Sequence, residues 1–381
     1  RMIEGTAISS ITIPKNVSVC GSSSYNGPLA NSKVLTTVIF EDGMTAIPSY
    51  ILASDYYTSY VTNVQIPDTV TSIGNSAFYK CSNLEKITLP QKLKKIGQIA
   101  FSGCASINEV FLGKNITEIG SSAFASCTNL ESVTMSYNST VEYTASIGDS
   151  VFIDCTSLAK VSLSENVASI GDCAFSGCSA LESLILPESL TSMGSRMIEG
   201  TAISSITIPK NVSSCGGGYY NSDNGPLANS KVLTTVIFEE GMTAIPSYIL
   251  ESDDYNSYVT NVQIPDTVTS IGESAFYKCS RLEKIILPQK LKKIGWYAFS
   301  GCASIKEVFL GKNITEIGRG AFASCTNLES VTMSYNSTVE YTASIGNSVF
   351  IDCTSLTKVS FSENVTSIGD CAFSGCSALE S

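Results

Sequence analysis

Cysteine is the residue type in this chain with the widest chemistry, because a thiolate can bind zinc, form a disulfide or act as a nucleophile. The chain has 14 cysteines in 381 residues. No CxxC pair occurs, and such close pairs are the usual mark of a zinc site. Ten cysteines recur at one position of a repeated pattern: Cys81, Cys104, Cys127, Cys155, Cys178, Cys279, Cys302, Cys325, Cys353 and Cys376.

This regular recurrence favours a structural role for the ten thiols. Residues at one position of a stacked repeat form a ladder of parallel side chains, and parallel vectors oppose disulfide formation between neighbouring rungs. We therefore expect a buried ladder of small apolar side chains. Cys20 and Cys215 fall on an isoleucine position of the pattern and are also expected in the core. Cys173 and Cys371 replace a polar residue, so we expect them to be the exposed thiols.

The sequence argues against catalysis. It contains no histidine, which removes Ser–His and Cys–His nucleophiles, histidine bases and histidine metal ligands. Glu85 and Glu109 lie near each other on neighbouring repeats, but surface carboxylates repeated in this way are typical of a solvated face. No glycine-rich phosphate loop follows a strand in the required manner. We predict a protein that is not an enzyme and has no cofactor and no metal.

The elements that position these residues are short repeats. The segment Leu84–Ser106 reads LEKITLPQKLKKIGQIAFSGCAS, and the pattern restarts at Ile107, 23 residues after Leu84. Such periods indicate a solenoid, because a single unit buries its apolar face only when its neighbours stack on it. The alternation in Leu84–Leu89 predicts a short strand with Ile87 and Leu89 inward.

The rest of the repeat predicts two further pieces. Leu93–Gly97 reads as a second extended piece. Ala100–Cys104 is too short for a stable helix, so we expect a single helical or 3₁₀ turn that places Phe101 and Cys104 in the core. The equivalent phenylalanines are expected to stack as a buried ladder beside the cysteines: Phe78, Phe101, Phe124, Phe152 and Phe175.

The pattern LxxIxLPxxLxxIGxxAFxxCxx resembles the BspA-like leucine-rich repeat, a variant found in bacterial and protozoan surface proteins. Its IGxxAFxxC part is present at Ile73–Cys81, Ile96–Cys104, Ile119–Cys127 and Ile170–Cys178. The resemblance covers nearly the whole chain. It implies an α/β, strand-rich, right-handed leucine-rich-repeat solenoid or horseshoe with one short parallel strand per repeat of ~23 residues. It also implies a secreted or cell-surface location and binding of host proteins or neighbouring cells.

A long repeat encloses the short one. Residues 196–381 copy residues 1–183 almost residue for residue, so we expect one continuous solenoid over 1–381, with a first tandem copy at 1–195 and a second at 196–381. Both ends fall within a repeat, which leads us to expect a fragment of a longer chain. The net charge is −11, which disfavours nucleic acid and anionic membranes as partners. No apolar run approaches the roughly 18 residues of a membrane span.

Two surfaces are candidates for protein binding. The first is the outward column of the strands on the expected concave face, where exposed Phe111, Ile185, Ile286 and Phe309 would be unusual on a solvated sheet. Strand propensity alone also explains such residues. The second consists of tyrosine-rich insertions, since tyrosine on loops combines apolar area with a hydrogen-bonding hydroxyl. The tyrosine candidates are Tyr56, Tyr57, Tyr60, Tyr137 and Tyr143.

Two classes of function therefore stay open. One is an extracellular or cell-surface adhesion module that binds a host protein, an extracellular matrix protein or another cell surface. The other is a structural spacer or stalk that displays another domain and has no ligand of its own. Apolar residues on the strand face and tyrosines on the insertions favour binding, whereas a spacer needs only a polar exterior.

Overall fold

A computed structural model describes residues 6–20, 27–30, 32–54, 59–136, 143–217, 224–252, 257–334 and 342–380. The chain forms two compact units. Unit 1 consists of Arg1–Leu190 with Gly200–Ala202, and unit 2 consists of Thr191–Glu199 with Ile203–Ser381. Within each unit the short strands fall into two columns of parallel strands, which we number in chain order and describe separately.

The first column is built from the LxxIxL part of the repeat. In unit 1 it consists of β1 (Ser10–Ile13), β2 (Thr37–Phe40), β4 (Asn63–Gln65), β6 (Lys86–Ile87), β8 (Glu109–Leu112), β10 (Ser132–Met135) and β12 (Lys160–Ser162). In unit 2 it consists of β15 (Ser205–Ile208), β17 (Thr235–Phe238), β19 (Asn261–Gln263), β22 (Glu307–Leu310), β24 (Ser330–Met333) and β26 (Lys358–Ser360).

The second column is built from the LxxIG part. In unit 1 it consists of β3 (Ala46–Ile47), β5 (Ser72–Ile73), β7 (Lys95–Ile96), β9 (Glu118–Ile119), β11 (Ala145–Ile147) and β13 (Val167–Ile170). In unit 2 it consists of β14 (Ser192–Met193), β16 (Ser214–Cys215), β18 (Ala244–Ile245), β20 (Ser270–Ile271), β21 (Lys293–Ile294), β23 (Glu316–Ile317), β25 (Ala343–Ile345) and β27 (Val365–Ile368).

The strand alternation predicted from the sequence is confirmed. Ile87 and Leu89 are buried, while Lys86 and Thr88 between them are exposed. Registers place equivalent residues of neighbouring repeats opposite each other, so Phe111 lies beside Thr134. A strand-rich solenoid of leucine-rich-repeat type is thus confirmed, with two strand columns rather than a single strand per repeat.

The third piece of the repeat is a turn and not a helix; the described part of the chain contains no helix. The amides of Ile99, Phe101 and Gly103 donate to carbonyls of the following repeat at 3.0, 2.7 and 2.8 Å. The residues between them donate to carbonyls three residues earlier in the same turn. Ile99 and Gly103 have φ of 59° and 75°, which a right-handed helix excludes. The helical or 3₁₀ turn expected at Ala100–Cys104 is therefore wrong, because alternate amides bond between repeats.

The phenylalanine ladder expected from the sequence is confirmed. In unit 1 the rings of Phe78, Phe101, Phe124, Phe152 and Phe175 are fully buried and stack on one another. Consecutive ring centroids are 5.0, 5.1, 5.7 and 5.5 Å apart. Unit 2 repeats the ladder from Phe276. The core of each unit is thus a continuous column, in which each inner ring is covered by its equivalents on both sides.

Candidate protein-binding surface

The outward face of the first strand column carries two large aromatic side chains. Phe111 on β8 and its twin Phe309 on β22 are 61% and 62% exposed. Their neighbours along the strand point the opposite way, since Val110 and Leu112 are 1% exposed. Strand alternation therefore forces the phenylalanine outward, because it occupies the one strand position between two core residues.

A cavity lies beside Phe111, where the first column of unit 1 is interrupted. Within the described residues, β6 ends one sheet and β8 begins the next. The cavity between these strands has a volume of about 300 Å³. Its lining includes Lys86, Thr88, Gln91, Glu109 and Phe111. The cavity therefore brings together an aromatic ring, neutral polar groups, one positive side chain and one negative side chain.

Unit 2 repeats this cavity with a more apolar lining. Among its described strands, β19 and β22 are the ends of separate sheets, and a cavity of about 400 Å³ lies beside Phe309. Ile286 replaces Thr88 in this lining, and Lys306 replaces Asn108. Ile286 is 69% exposed. The second cavity therefore adds an exposed aliphatic group, and its lining also gains one lysine and two glutamates, Lys306, Glu283 and Glu329.

Each cavity joins an exposed phenylalanine ring to a few polar groups beside the strands of the first column. Glu85 and Glu109 are both exposed, consistent with the solvated face inferred from the sequence.

Ile185 is the most exposed of the four residues on this face, at 83%. It lies between Leu184 and Leu186, which are 5% and 8% exposed, so the inward–outward alternation continues there. Residues 180–187 have no assigned strand. Ile185 is therefore presented by an extended segment outside the ladder.

The tyrosine candidates differ in their surroundings. Tyr60 is 46% exposed. Tyr143 is half-buried, and its hydroxyl is 3.1 Å from both the carbonyl oxygen of Lys114 and the Oδ1 of Asn115. These bonds hold the hydroxyl within the protein and reduce its availability to a partner. Three other tyrosine candidates lie outside the described residues: Tyr56, Tyr57 and Tyr137.

The ladder cysteines are structural thiols. All fourteen cysteines are in the thiol form. Cys104 Sγ donates to the carbonyl oxygen of Phe78 at 3.2 Å, and Cys127 Sγ to that of Phe101 at 3.2 Å. Burial raises the pKa of the Cys81 thiol to about 12. Since the thiolate is the reactive form, the buried ladder thiols are inert in the folded protein. Cys376, at the last ladder position, is half-buried, so the buried ladder expected from the sequence does not extend to it.

The remaining thiols are more accessible. Cys371 is exposed and Cys173 is half-buried. Cys20 and Cys215 are also half-buried, so the expectation that both lie in the core is met only in part. The described residues contain no group of three or more His, Cys, Asp or Glu side chains that could hold a metal ion. No helix in the described part of the chain is long and apolar enough to span a membrane.

Sequence reasoning did not single out Trp296. Trp296 is the single tryptophan of the chain and is 56% exposed. Its twin in the first copy is Gln98. The signal that could have found it is the difference between the two copies, because near-identical repeats change only where selection or drift has acted on one of them.

The chain is similar to one protein family and to several solved structures. The family model described as a BspA type leucine rich repeat region matches residues 51–146, 145–254 and 253–380. A leucine-rich repeat protein from Bacteroides ovatus ATCC 8483 is 23% identical, with a TM-score of 0.57 over 97% of this chain and 85% of that one. A leucine rich cell surface protein from Faecalibacterium prausnitzii A2-165 is 26% identical, with a TM-score of 0.41 over 98% of this chain and 86% of that one. The search of curated proteins gives no significant match.

Proposed function

Because the chain belongs to the BspA-type leucine-rich repeat family, we propose that it is a non-catalytic protein-binding module of the cell surface or the extracellular space. Proteins of this family are commonly located at the cell surface, and leucine-rich repeat proteins generally bind proteins. The proposed ligand is an extracellular matrix protein, another host protein or the surface of a neighbouring cell.

The observation that carries the proposal is the pair of exposed phenylalanines beside cavities. Phe111 and Phe309 each keep more than half of their surface in water, which leaves apolar area to be covered by a partner. Each ring adjoins a cavity with charged and amide groups that can fix a partner's orientation. We also propose Ile185, Ile286, Tyr60 and Tyr143 as contacts of a partner. Tyr56, Tyr57 and Tyr137 remain proposed contacts of the insertions.

The duplication adds multivalency to this proposal. Two related sites in one chain favour repetitive partners such as matrix fibres, since the second contact becomes intramolecular once the first has formed. The site in unit 2 should be the stronger one, because Ile286 adds exposed apolar area beside Phe309.

The test is binding to immobilised collagen, laminin and fibronectin, measured by surface plasmon resonance with purified protein. We expect Phe309→Ser to weaken binding to at least one of these about 5- to 30-fold, as loss of an interface anchor worth about 1–2 kcal/mol requires. Phe111→Ser should have a smaller effect, and the double variant a larger one than either.

The matched control is Val19→Ser. Val19 is 83% exposed and its twin in the second copy is Ser214, so the change removes exposed apolar area at a position where the protein already accepts serine. It should leave binding unchanged. Equal losses for Val19→Ser and Phe309→Ser would contradict a specific surface. A folded wild-type protein that binds none of the three ligands would favour the spacer role instead.

A further inference from the structure

The two tandem copies differ along one column of the surface. In the first copy, the residue after the Ile-Gly pair is an uncharged polar residue on three successive repeats: Asn75, Gln98 and Ser121. The equivalent residues of the second copy are Glu273, Trp296 and Arg319. Because the period places these positions on neighbouring repeats, the three changes fall on one stripe of unit 2 and alter its chemistry together.

Trp296 has the setting of a platform rather than of a core residue. Its Cδ1 lies 2.7 Å from the point where a Cβ on Gly318 would be, so the indole rests on the backbone of the next repeat. More than half of the side chain is nevertheless exposed. An indole supported on one edge and open to solvent leaves apolar aromatic surface for a ligand.

Two residues near Trp296 also differ between the copies, and the two differences fit each other. Tyr297 replaces Ile99 of the first copy, and Gly320 replaces Ser122. The Tyr297 ring lies 2.5 Å from the position that a Cβ on Gly320 would occupy. A serine there would collide with the ring, so the glycine accommodates the tyrosine. The guanidinium of Arg319 lies 6.0 Å from the centroid of the same ring.

A groove of about 560 Å³ adjoins this stripe. Its volume falls within the range of about 300–1,000 Å³ that is usual for small-molecule sites. It lies where the second strand column of unit 2 is interrupted, since β16 and β18 are end strands of separate sheets among the described residues. The side chains that line it include Lys210, Ser247, Glu273, Lys293, Trp296 and Glu316.

The charged side chains that line this groove balance in sign. Lys293 Nζ lies 2.9 Å from Glu316 Oε2. The backbone amide of Glu273 donates to Ser247 Oγ at 3.0 Å. Burial, the charge of Glu273 and a hydrogen bond with it, and the charge of Glu251 raise the pKa of the Tyr248 hydroxyl to about 12. The groove thus offers two ammonium groups, two carboxylates and several hydroxyls, without net charge.

We propose that this groove of unit 2 binds a neutral oligosaccharide, with the Trp296 indole stacked on the apolar face of one sugar ring. A sugar presents a flat C–H face beside hydroxyls that both donate and accept hydrogen bonds. The groove matches both features, because carboxylates accept, ammonium groups donate and serine hydroxyls do either. A peptide would instead need apolar pockets, and Trp296 is the one large apolar side chain of the lining that is exposed.

The chain supplies its own reporter for a test. Since Trp296 is the single tryptophan, tryptophan emission reports on this groove alone. The whole protein is titrated with maltohexaose, cellohexaose and hexa-N-acetylchitohexaose up to about 10 mM, at which a site with a Kd of about 1 mM is roughly nine-tenths filled. We expect a saturable change in emission with at least one of the three saccharides. In Glu273→Asn, which restores the residue of the first copy, this change in emission should be at least tenfold smaller.

Trp296→Gln also restores the first-copy residue and is followed by titration calorimetry, because it removes the reporter. It should abolish the heat of binding while keeping the thermal unfolding temperature of the wild type. Phe309→Ser should keep the full saccharide response, which separates this site from the proposed protein-binding surface. Unchanged emission with all three saccharides, a response to a gelatin hydrolysate in their place, or saccharide binding retained in Trp296→Gln would each overturn the proposal.

Discussion

Replacing Phe101 by alanine should destabilise unit 1 strongly. Phe101 is 0% exposed, and its ring is stacked between Phe78 and Phe124 at centroid distances of 5.0 and 5.1 Å. The change removes a buried ring and leaves a cavity between two rigid repeats, whose spacing is fixed by strand and turn hydrogen bonds. The surrounding structure therefore has little freedom to collapse into the space.

The expected loss follows from three contributions. Truncation of a buried phenylalanine to alanine costs about 3–5 kcal/mol in free energy of unfolding. Each aromatic contact contributes about 0.5–1.5 kcal/mol beyond burial, and Phe101 has two, so the upper part of that range is expected. For a unit of this size, a loss of about 4–5 kcal/mol corresponds to a fall in unfolding temperature of about 8–20 °C.

Urea unfolding followed by circular dichroism measures this loss, and the chain offers a matched control. Phe111→Ala makes the same chemical change on the next repeat, but at a side chain that is 61% exposed. It should change the free energy of unfolding by no more than about 0.5 kcal/mol. Phe299→Ala, the twin change in unit 2, should resemble Phe101→Ala. Equal effects of Phe101→Ala and Phe111→Ala would refute the repeat frame and the core assigned from it.

Three further predictions concern the thiols and the second copy. Because burial raises the pKa of Cys81 and Cys279 from 9.0 to about 12, the folded protein keeps these protons between about pH 9 and pH 12 while the unfolded chain loses them. These thiols should therefore make the free energy of unfolding fall as pH rises through this window, and should contribute no change just below it. In Cys81→Ala the fall with pH should be less steep by the contribution of one proton, and the urea midpoint measures this difference. Labelling of the native protein with Ellman's reagent at about pH 8 should modify Cys371 rapidly and leave the nine buried ladder thiols unmodified until urea is added; rapid labelling of these nine in the native protein would contradict the assignment. Gly320→Ser should destabilise unit 2 by about 1–3 kcal/mol through overpacking against the Tyr297 ring, and Tyr297→Ile should remove most of that cost in a double-mutant cycle.

The sequence alone determined the repeat and the direction of its side chains. The 23-residue period and the alternation in LxxIxL are local patterns, and stacking of equal units leaves a single face for each position. Burial of Phe101 and Cys104 and exposure of Phe111 follow from that frame without tertiary information. The family resemblance rests on the same residues, since the motif is itself the list of core positions.

Only the tertiary structure decided how neighbouring repeats meet. The turn at Ala100–Cys104 is not helical, because its alternate amides bond to the next repeat, and such bonds depend on the stacking distance rather than on the local sequence. The cavities beside Phe111 and Phe309 exist because the first strand ladder is interrupted there, although the residues on both sides keep the strand pattern.

The groove of unit 2 shows the same division. The sequence records that Tyr297 stands in place of Ile99 and Gly320 in place of Ser122, but it does not connect the two differences. The connection is spatial, because residues about one period apart face each other across stacked repeats, where the Tyr297 ring covers Gly320 and the Trp296 indole rests on Gly318. Side chains from several successive repeats line one groove, so its chemistry is set by contacts between repeats and not by any single repeat.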